Sequence, residues 1–261
     1  MLKLVDSHCH LNMLDLTSYD GKLQGVIDAA AEVGVNTMLC VAVDLSTLPA
    51  VLQTAEQFPN VYASVGVHPN DSKDDPVTVE QLVELAQHPK VVAIGETGLD
   101  YFRSTGDLEW QRDAFRTHIR AAKEVRKPLI IHTREAQVDT IKIMREERVQ
   151  EIGGVMHCFT EDWEMAQQAI DLGFYISFSG IVTFKNALQI QTVAKQIPLT
   201  SMLIETDSPY LAPVPHRGKP NYPAYTRFVA EYIAQLRNET LEQIAQHTTN
   251  NFYNLFKGAK L

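Results

Sequence analysis

Eight short apolar runs rich in Val and Ile punctuate the chain, and their rhythm constrains the fold more than any other feature. They are Leu2 to Val5, Thr37 to Val43, Val61 to Val67, Val91 to Ile94, Leu129 to Ile131, Val155 to Met156, Phe174 to Phe178, and Ser201 to Ile204. Between them lie stretches with helical spacing, such as Leu23, Val26, Ile27 and Ala30 ended by Gly34, and Met165, Ala166, Ala169 and Ile170 ended by Gly173. Eight βα units in roughly 200 residues match an α/β fold of the (β/α)8 TIM-barrel type, with a doubly wound open sheet as the alternative. From Ala224 onward the pattern predicts two more helices, Tyr225 to Leu236 and Leu241 to Phe256, packing back on the barrel. No Ser/Gly-rich linker or repeat interrupts the chain, so residues 1–261 read as one domain. The one long Pro-rich loop is PYLAPVPHRGKPNYP, and such loops are often functional.

Composition narrows the class of partner. The chain has 23 Lys and Arg against 32 Asp and Glu, a formal net charge of -9. That balance argues against a broad basic face for nucleic acid, so any such contact is local and transient. Three scattered cysteines, Cys9, Cys40 and Cys158, form no CxxC pair and are expected to be reduced. No apolar run approaches the roughly 20 residues of a membrane helix, and the N-terminal residues lack a secretory pattern. A cytoplasmic protein, with no membrane association, no obligate protein partner and a monomeric state, is the expectation.

In a barrel the chemistry sits where the strands end. After the first run come Asp6, His8 and His10; after the third, His68; after the fourth, Glu96; after the fifth, His132; after the sixth, His157; after the eighth, Glu205 and Asp207. His8 and His10 are two apart, so on an extended strand both project to one side and can chelate one ion. A lone pair of this kind is equally well explained by core packing. Imidazoles and carboxylates at several strand ends change the weighing, because together they form the ligand set for zinc-, manganese-, iron- or magnesium-type sites. His8, His10, His132, His157 and Asp207 supply five such groups, and Glu96 has two oxygens with which to bridge two cations. Asp6 is expected to support a ligand rather than bind. His68, in GVHP, reads either as functional or as part of a turn set by Pro69. His88, His118 and His247 read as structural or surface residues, and Cys9 and Cys158 as packed thiols turned away from the ligands.

Several motifs in fixed order now carry a resemblance: DSHCHL from Asp6, GVHP from Gly66, GETGLDY from Gly95, HTR from His132, HCF from His157, SFSG from Ser177 and ETDSPYLAP from Glu205. Together they resemble the TatD family of metal-dependent deoxyribonucleases, its bacterial branch in particular, over essentially the whole chain. The resemblance implies a TIM-barrel hydrolase with two divalent cations, one held by His8, His10 and Asp207, the other by His132 and His157, with Glu96 between them. It also implies catalytic or near-catalytic roles for His68 and Glu205, and with few basic contacts the grip should favour ends or single strands, so a 3′-to-5′ exonuclease-like action preferring single strands is the expectation.

Two cations that share an activated water can clamp both oxygens of a phosphodiester displacement. They also bring positive charge where an acidic chain must hold a phosphate. On this reading Asp207 takes or orients the proton of water, and His68 contacts the phosphate or protonates the leaving oxygen. Arg103, Arg134 and Arg217 are candidate phosphate contacts, and Tyr101 or Phe102 a stacking surface for a base. Metal chemistry of this kind does not choose between phosphorus and carbonyl carbon. The competing readings are therefore an ester or amide hydrolase, such as a D-aminoacyl-tRNA deacylase or a lactonase, and a metal-binding protein without turnover.

Overall fold

A computed structural model of the chain describes residues 2–71, 73 and 76–260. All eight runs form strands: β1 (Leu4–Cys9), β2 (Val35–Cys40), β3 (Val61–Val65), β4 (Val91–Asp100), β5 (Leu129–Arg134), β6 (Gly154–Met156), β7 (Phe174–Phe178) and β8 (Met202–Ile204). Each pairs in parallel with its successor, and the sheet order is the chain order. A doubly wound sheet would reverse direction partway, so that alternative is excluded. Helices fill the crossovers: α1 (Leu23–Glu32), α2 (Leu48–Gln57), α3 (Val79–Leu85), α4 (Glu109–Val125), α5 (Gln137–Glu146), α6 (Trp163–Asp171) and α7 (Leu188–Gln196). Their starts follow side-chain chemistry where it is available; Asp162, for example, accepts the Met165 N–H at 2.9 Å to cap α6.

Three strands outrun the apolar segments that announced them. β1 continues to Cys9, β4 to Asp100 and β5 to Arg134, which places His8, Glu96 and His132 inside strands rather than beyond them. Ladder hydrogen bonds use backbone groups only, so a strand continues past its last apolar residue wherever polar side chains satisfy one another.

Among the described residues no ladder joins β8 to β1, and the barrel is nearly closed. Individual bonds stitch the seam instead. Ser7 Oγ donates to the Ile204 carbonyl at 3.0 Å, and the Asp6 carboxyl accepts both the backbone N–H of Thr206 at 2.9 Å and its hydroxyl at 2.5 Å. One step further, Asp207 N–H donates to His8 O at 2.9 Å and His10 N–H to Ser208 O at 2.8 Å. The segment after β8 is thereby laid against the end of β1.

The tail forms the two expected helices, α8 (Thr226–Arg237) and α9 (Leu241–Leu255). Phe252 of α9 and Phe256 just beyond it are fully buried in a cluster with Val5, Leu39, Tyr62, Ile130, Val155 and Leu203, each from a different strand. Asn251 donates to the carbonyls of Leu199 and Met202 at 2.7 and 2.8 Å, at the start of β8. The tail therefore plugs the barrel at the strand starts, and the polar residues occupy the other mouth.

Candidate metal centre

The seam assembles the first group of metal-capable side chains. His8 and His10 present their Nε2 atoms 3.3 Å apart, and Asp207 Oδ1 lies 3.4 Å from His10 Nε2 and 3.7 Å from His8 Nε2. Asp207 sits at φ +56, held there by its N–H bond to His8 O, so its carboxylate reaches β1 across some two hundred residues of chain. Two ligands each about 2.1 Å from one tetrahedral ion stand about 3.4 Å apart, which is the spacing found here.

Glu96 joins this group to a second. Its Oε2 lies 3.4 Å from His8 Nε2, while its Oε1 lies 2.8 Å from His157 Nε2, 3.2 Å from His132 Nδ1 and 3.6 Å from His68 Nε2. Gly98, two residues on, brings β4 against β5: at φ +134 a Cβ there would stand 2.0 Å from the His132 carbonyl oxygen. Only glycine permits that approach, and the approach sets the distance from Glu96 to His132.

The far nitrogens of the imidazoles decide which near ones are free. His10 Nδ1 bonds to Val41 O at 2.9 Å, His132 Nε2 to Asp100 Oδ2 at 3.2 Å, and His157 Nδ1 to Glu205 Oε1 at 3.2 Å. With the proton fixed on the outer nitrogen, the inner one offers a lone pair to the cavity. His8 lacks such a partner on Nδ1 and is steadied by stacking on His157, ring centres 3.8 Å apart. His157 Nε2 is buried against Glu96 Oε1, 2.8 Å away. Buried imidazole nitrogens and carboxylate oxygens thus face one another at 2.8 to 3.7 Å, a donor set close enough to hold a cation.

Charges within the cluster are strongly coupled. Burial alone would raise Glu96, but the surrounding His157, His68 and His132 hold its carboxyl well below the usual range. Burial opposes protonation of His157, yet Glu96 and Glu205 on its two sides push it well above 6.5, so a proton must leave when a cation takes its place. His68 is pulled down to about 4 by burial and is neutral at pH 7. Burial lifts Asp6 to about 8, in keeping with a structural carboxyl that clamps Thr206 and touches no imidazole nitrogen.

The remaining predicted residues separate by position. Arg103 and Arg134 line the cavity, about 600 Å³ in volume, that covers the cluster. Arg217 does not line it; its guanidinium lies over the Phe184 ring at 4.3 Å in the exposed loop after β8. Tyr101 is turned away, its hydroxyl donating to Asp139 at 2.7 Å and accepting from Arg112 at 3.0 Å, so it offers no stacking face. Phe102 lies beneath the Arg134 guanidinium, 3.7 Å from ring centre to charge. Glu205 stands behind His157 and away from the cavity wall. The thiol of Cys158 touches Ser179 Oγ at the cavity wall, and that of Cys9 points to Leu39 O; burial raises both well above 9, so they stay protonated. His118 is a buried structural residue and His88 pairs with Glu56 at the surface.

Asp100 escaped the sequence reading. It accepts from His132, from Asn70 Nδ2 at 3.1 Å and from the N–H groups of Phe102 and Arg103, and with His68 and His132 forms a third group of metal-capable side chains. The signal was parity: Glu96, Gly98 and Asp100 share one face of β4, visible only once the strand is extended past Ile94.

Imidazole and carboxylate groups converging at the C-terminal mouth of a parallel barrel define an enzyme of the metal-dependent hydrolase class. A family profile described as TatD related DNase matches residues 5–257, and the chain belongs to the TatD family. It is 51% identical to the metal-dependent hydrolase YcfH of Escherichia coli K12 over 97% of this chain and 95% of that one. To YabD of Bacillus subtilis 168 it is 44% identical, over 97% and 99%. The crystal structure of YjjV, a TatD homologue from Escherichia coli K12, superposes with a TM-score of 0.86 at 29% identity, covering 97% and 98%.

Proposed function

We propose that the chain hydrolyses phosphodiester bonds of DNA, acting at the ends of single strands, with two divalent cations in the cavity. One observation carries this reading: the two oxygens of Glu96 are divided, one toward His8 and the other toward His132 and His157. One group is then His8, His10 and Asp207, the other His132 and His157, with Glu96 common to both. When bound, such cations lower the pKa of water and draw charge off the phosphate.

The chain's own side chains do the rest. Asp207 lines the cavity, and its carboxylate accepts the proton of the attacking water. His68 accepts the Asn70 N–H on Nδ1 at 3.2 Å, which puts its proton on Nε2, facing the cavity. As a neutral donor it contacts a phosphate oxygen, and with a pKa near 4 it is a poor proton source at neutral pH, so of its two predicted roles the contact is favoured. Arg103 and Arg134 supply flanking charge in a protein that otherwise repels DNA. The test is metal analysis of the purified protein with a substrate panel of end-labelled single-stranded DNA, D-aminoacyl-tRNA and simple lactones, repeated on Glu96→Ala. The expected result is metal-dependent DNA cleavage, and loss of one metal equivalent together with turnover in the variant. Preferential turnover of the tRNA ester or lactone, or full activity after chelation, overturns the proposal.

A further inference from the structure

The cavity wall is divided by chemistry into two opposed arcs. Since the strands run round the barrel in chain order, β4 and β5 stand across from β8 and β1. The β4 and β5 side contributes the cations Arg103 and Arg134 beside two carboxylates, Asp71 after β3 and Asp100, the latter taken up by His132, Asn70 and backbone N–H groups. The opposite side contributes Met13 after β1, Ile181 after β7, and Tyr210 and Leu211 after β8, with His10 and Asp207 of the cluster as its titratable groups. The ligand cluster lies between the arcs.

Both arcs are held in place. Arg134 rests on Phe102, and the Arg103 backbone is tied to Asp100 at 2.9 Å. Across the cavity, Tyr210 N–H donates to Asp207 O at 2.9 Å and its carbonyl accepts from Asn221, so the backbone is pinned while the ring stays 55% exposed, its centre 6.2 Å from that of His10. A large aromatic ring left facing a cavity beside a ligand cluster, on a rigid backbone and flanked by apolar side chains, is a platform for a flat, weakly polar ligand group. A volume of about 600 Å³ is that of a small-ligand site rather than a long groove.

We propose that this arc is a nucleobase subsite: the terminal nucleotide lays its base on Tyr210, between Met13, Ile181 and Leu211, while phosphates meet Arg103 and Arg134 across the ligand cluster. The inference rests on the DNA reading for its ligand class, and it moves the stacking role from Tyr101 and Phe102 to Tyr210.

Binding tests it separately from turnover. The full-length protein, in excess Mg2+, is titrated with thymidine 5′-phosphate and with deoxyribose 5-phosphate, which share a phosphate and differ by the base. The base is expected to tighten binding by about tenfold. Tyr210→Phe keeps that ratio, and Tyr210→Ala brings it close to one. Both variants leave the two backbone bonds of residue 210 intact, and unchanged melting verifies the fold. Arg134→Ala weakens both ligands alike and leaves the ratio as it was. Equal affinities in the unaltered protein, or a ratio that survives Tyr210→Ala, overturn the subsite. A base preference that vanishes with Tyr210→Ala in a protein that cleaves no DNA supports the subsite and sinks the nuclease reading.

Discussion

His118 makes the stability of this barrel depend on pH in a direction the structure fixes. The side chain lies on α4, fully buried behind the loop that carries His68. Its Nδ1–H donates to Ala114 O at 2.7 Å, and its Nε2 accepts the backbone N–H of Val67 at 3.0 Å. Both bonds require the neutral ring, because a proton on Nε2 would face another N–H. Burial accordingly pulls the imidazole down to about 4, against 6.5 in an unfolded chain. Above pH 6.5 neither state is protonated and the residue contributes no pH dependence. As pH falls below 6.5 the unfolded chain takes up a proton that the folded one refuses, so stability drops until pH reaches about 4. The full gap is worth about 3 kcal/mol, of which about 2 is already lost at pH 5.

Other buried groups titrate in the same interval, so the measurement is a double difference. Urea unfolding of the unaltered protein and of His118→Gln is compared at pH 7.5 and pH 5. Whatever the glutamine costs at pH 7.5, the unaltered protein should lose about 2 kcal/mol more than the variant on acidification. A double difference below about 0.5 kcal/mol, or one of opposite sign, would show that His118 is protonated in the folded state and refute the assignment of its two hydrogen bonds.

Two further outcomes follow from contacts around the cluster. Glu205→Gln retains an oxygen for the Cys158 N–H but removes the charge behind His157, so affinity for divalent metal should fall about 10- to 100-fold in a chelator competition; unchanged affinity would mean that the stack on His8 alone orients the ring. Gly98→Ala forces a methyl toward the His132 carbonyl at a φ that disfavours L residues, so melting should drop by about 5 to 10 °C with loss of bound metal, and a variant that melts and binds metal as before would contradict the close approach of β4 and β5.

What was legible in the sequence depended on whether a strand announced itself by apolarity. The eight strands could be counted because a parallel sheet covered on both faces must be apolar throughout, and the ligands could be proposed because they follow those runs. The same signal fails where polar side chains solvate one another. β4 continues for six residues past Ile94, so the parity that puts Asp100 with Glu96, and turns the adjacent Tyr101 out toward Asp139 and Arg112, could not be seen. Tyr210 was hidden for a different reason. Its place depends on the path of the chain after β8, which the bonds from Asp207 to His8 and from His10 to Ser208 dictate, and neither bond leaves a trace in residue type because backbone atoms make both. The candidate ligands of the first group are thus readable as residues, while their meeting is a property of the seam. The Asp6 clamp on Thr206 is the side-chain part of that seam, which is why a carboxyl that touches no imidazole nitrogen still matters to the candidate site: it holds in register the two strand ends that carry its residues.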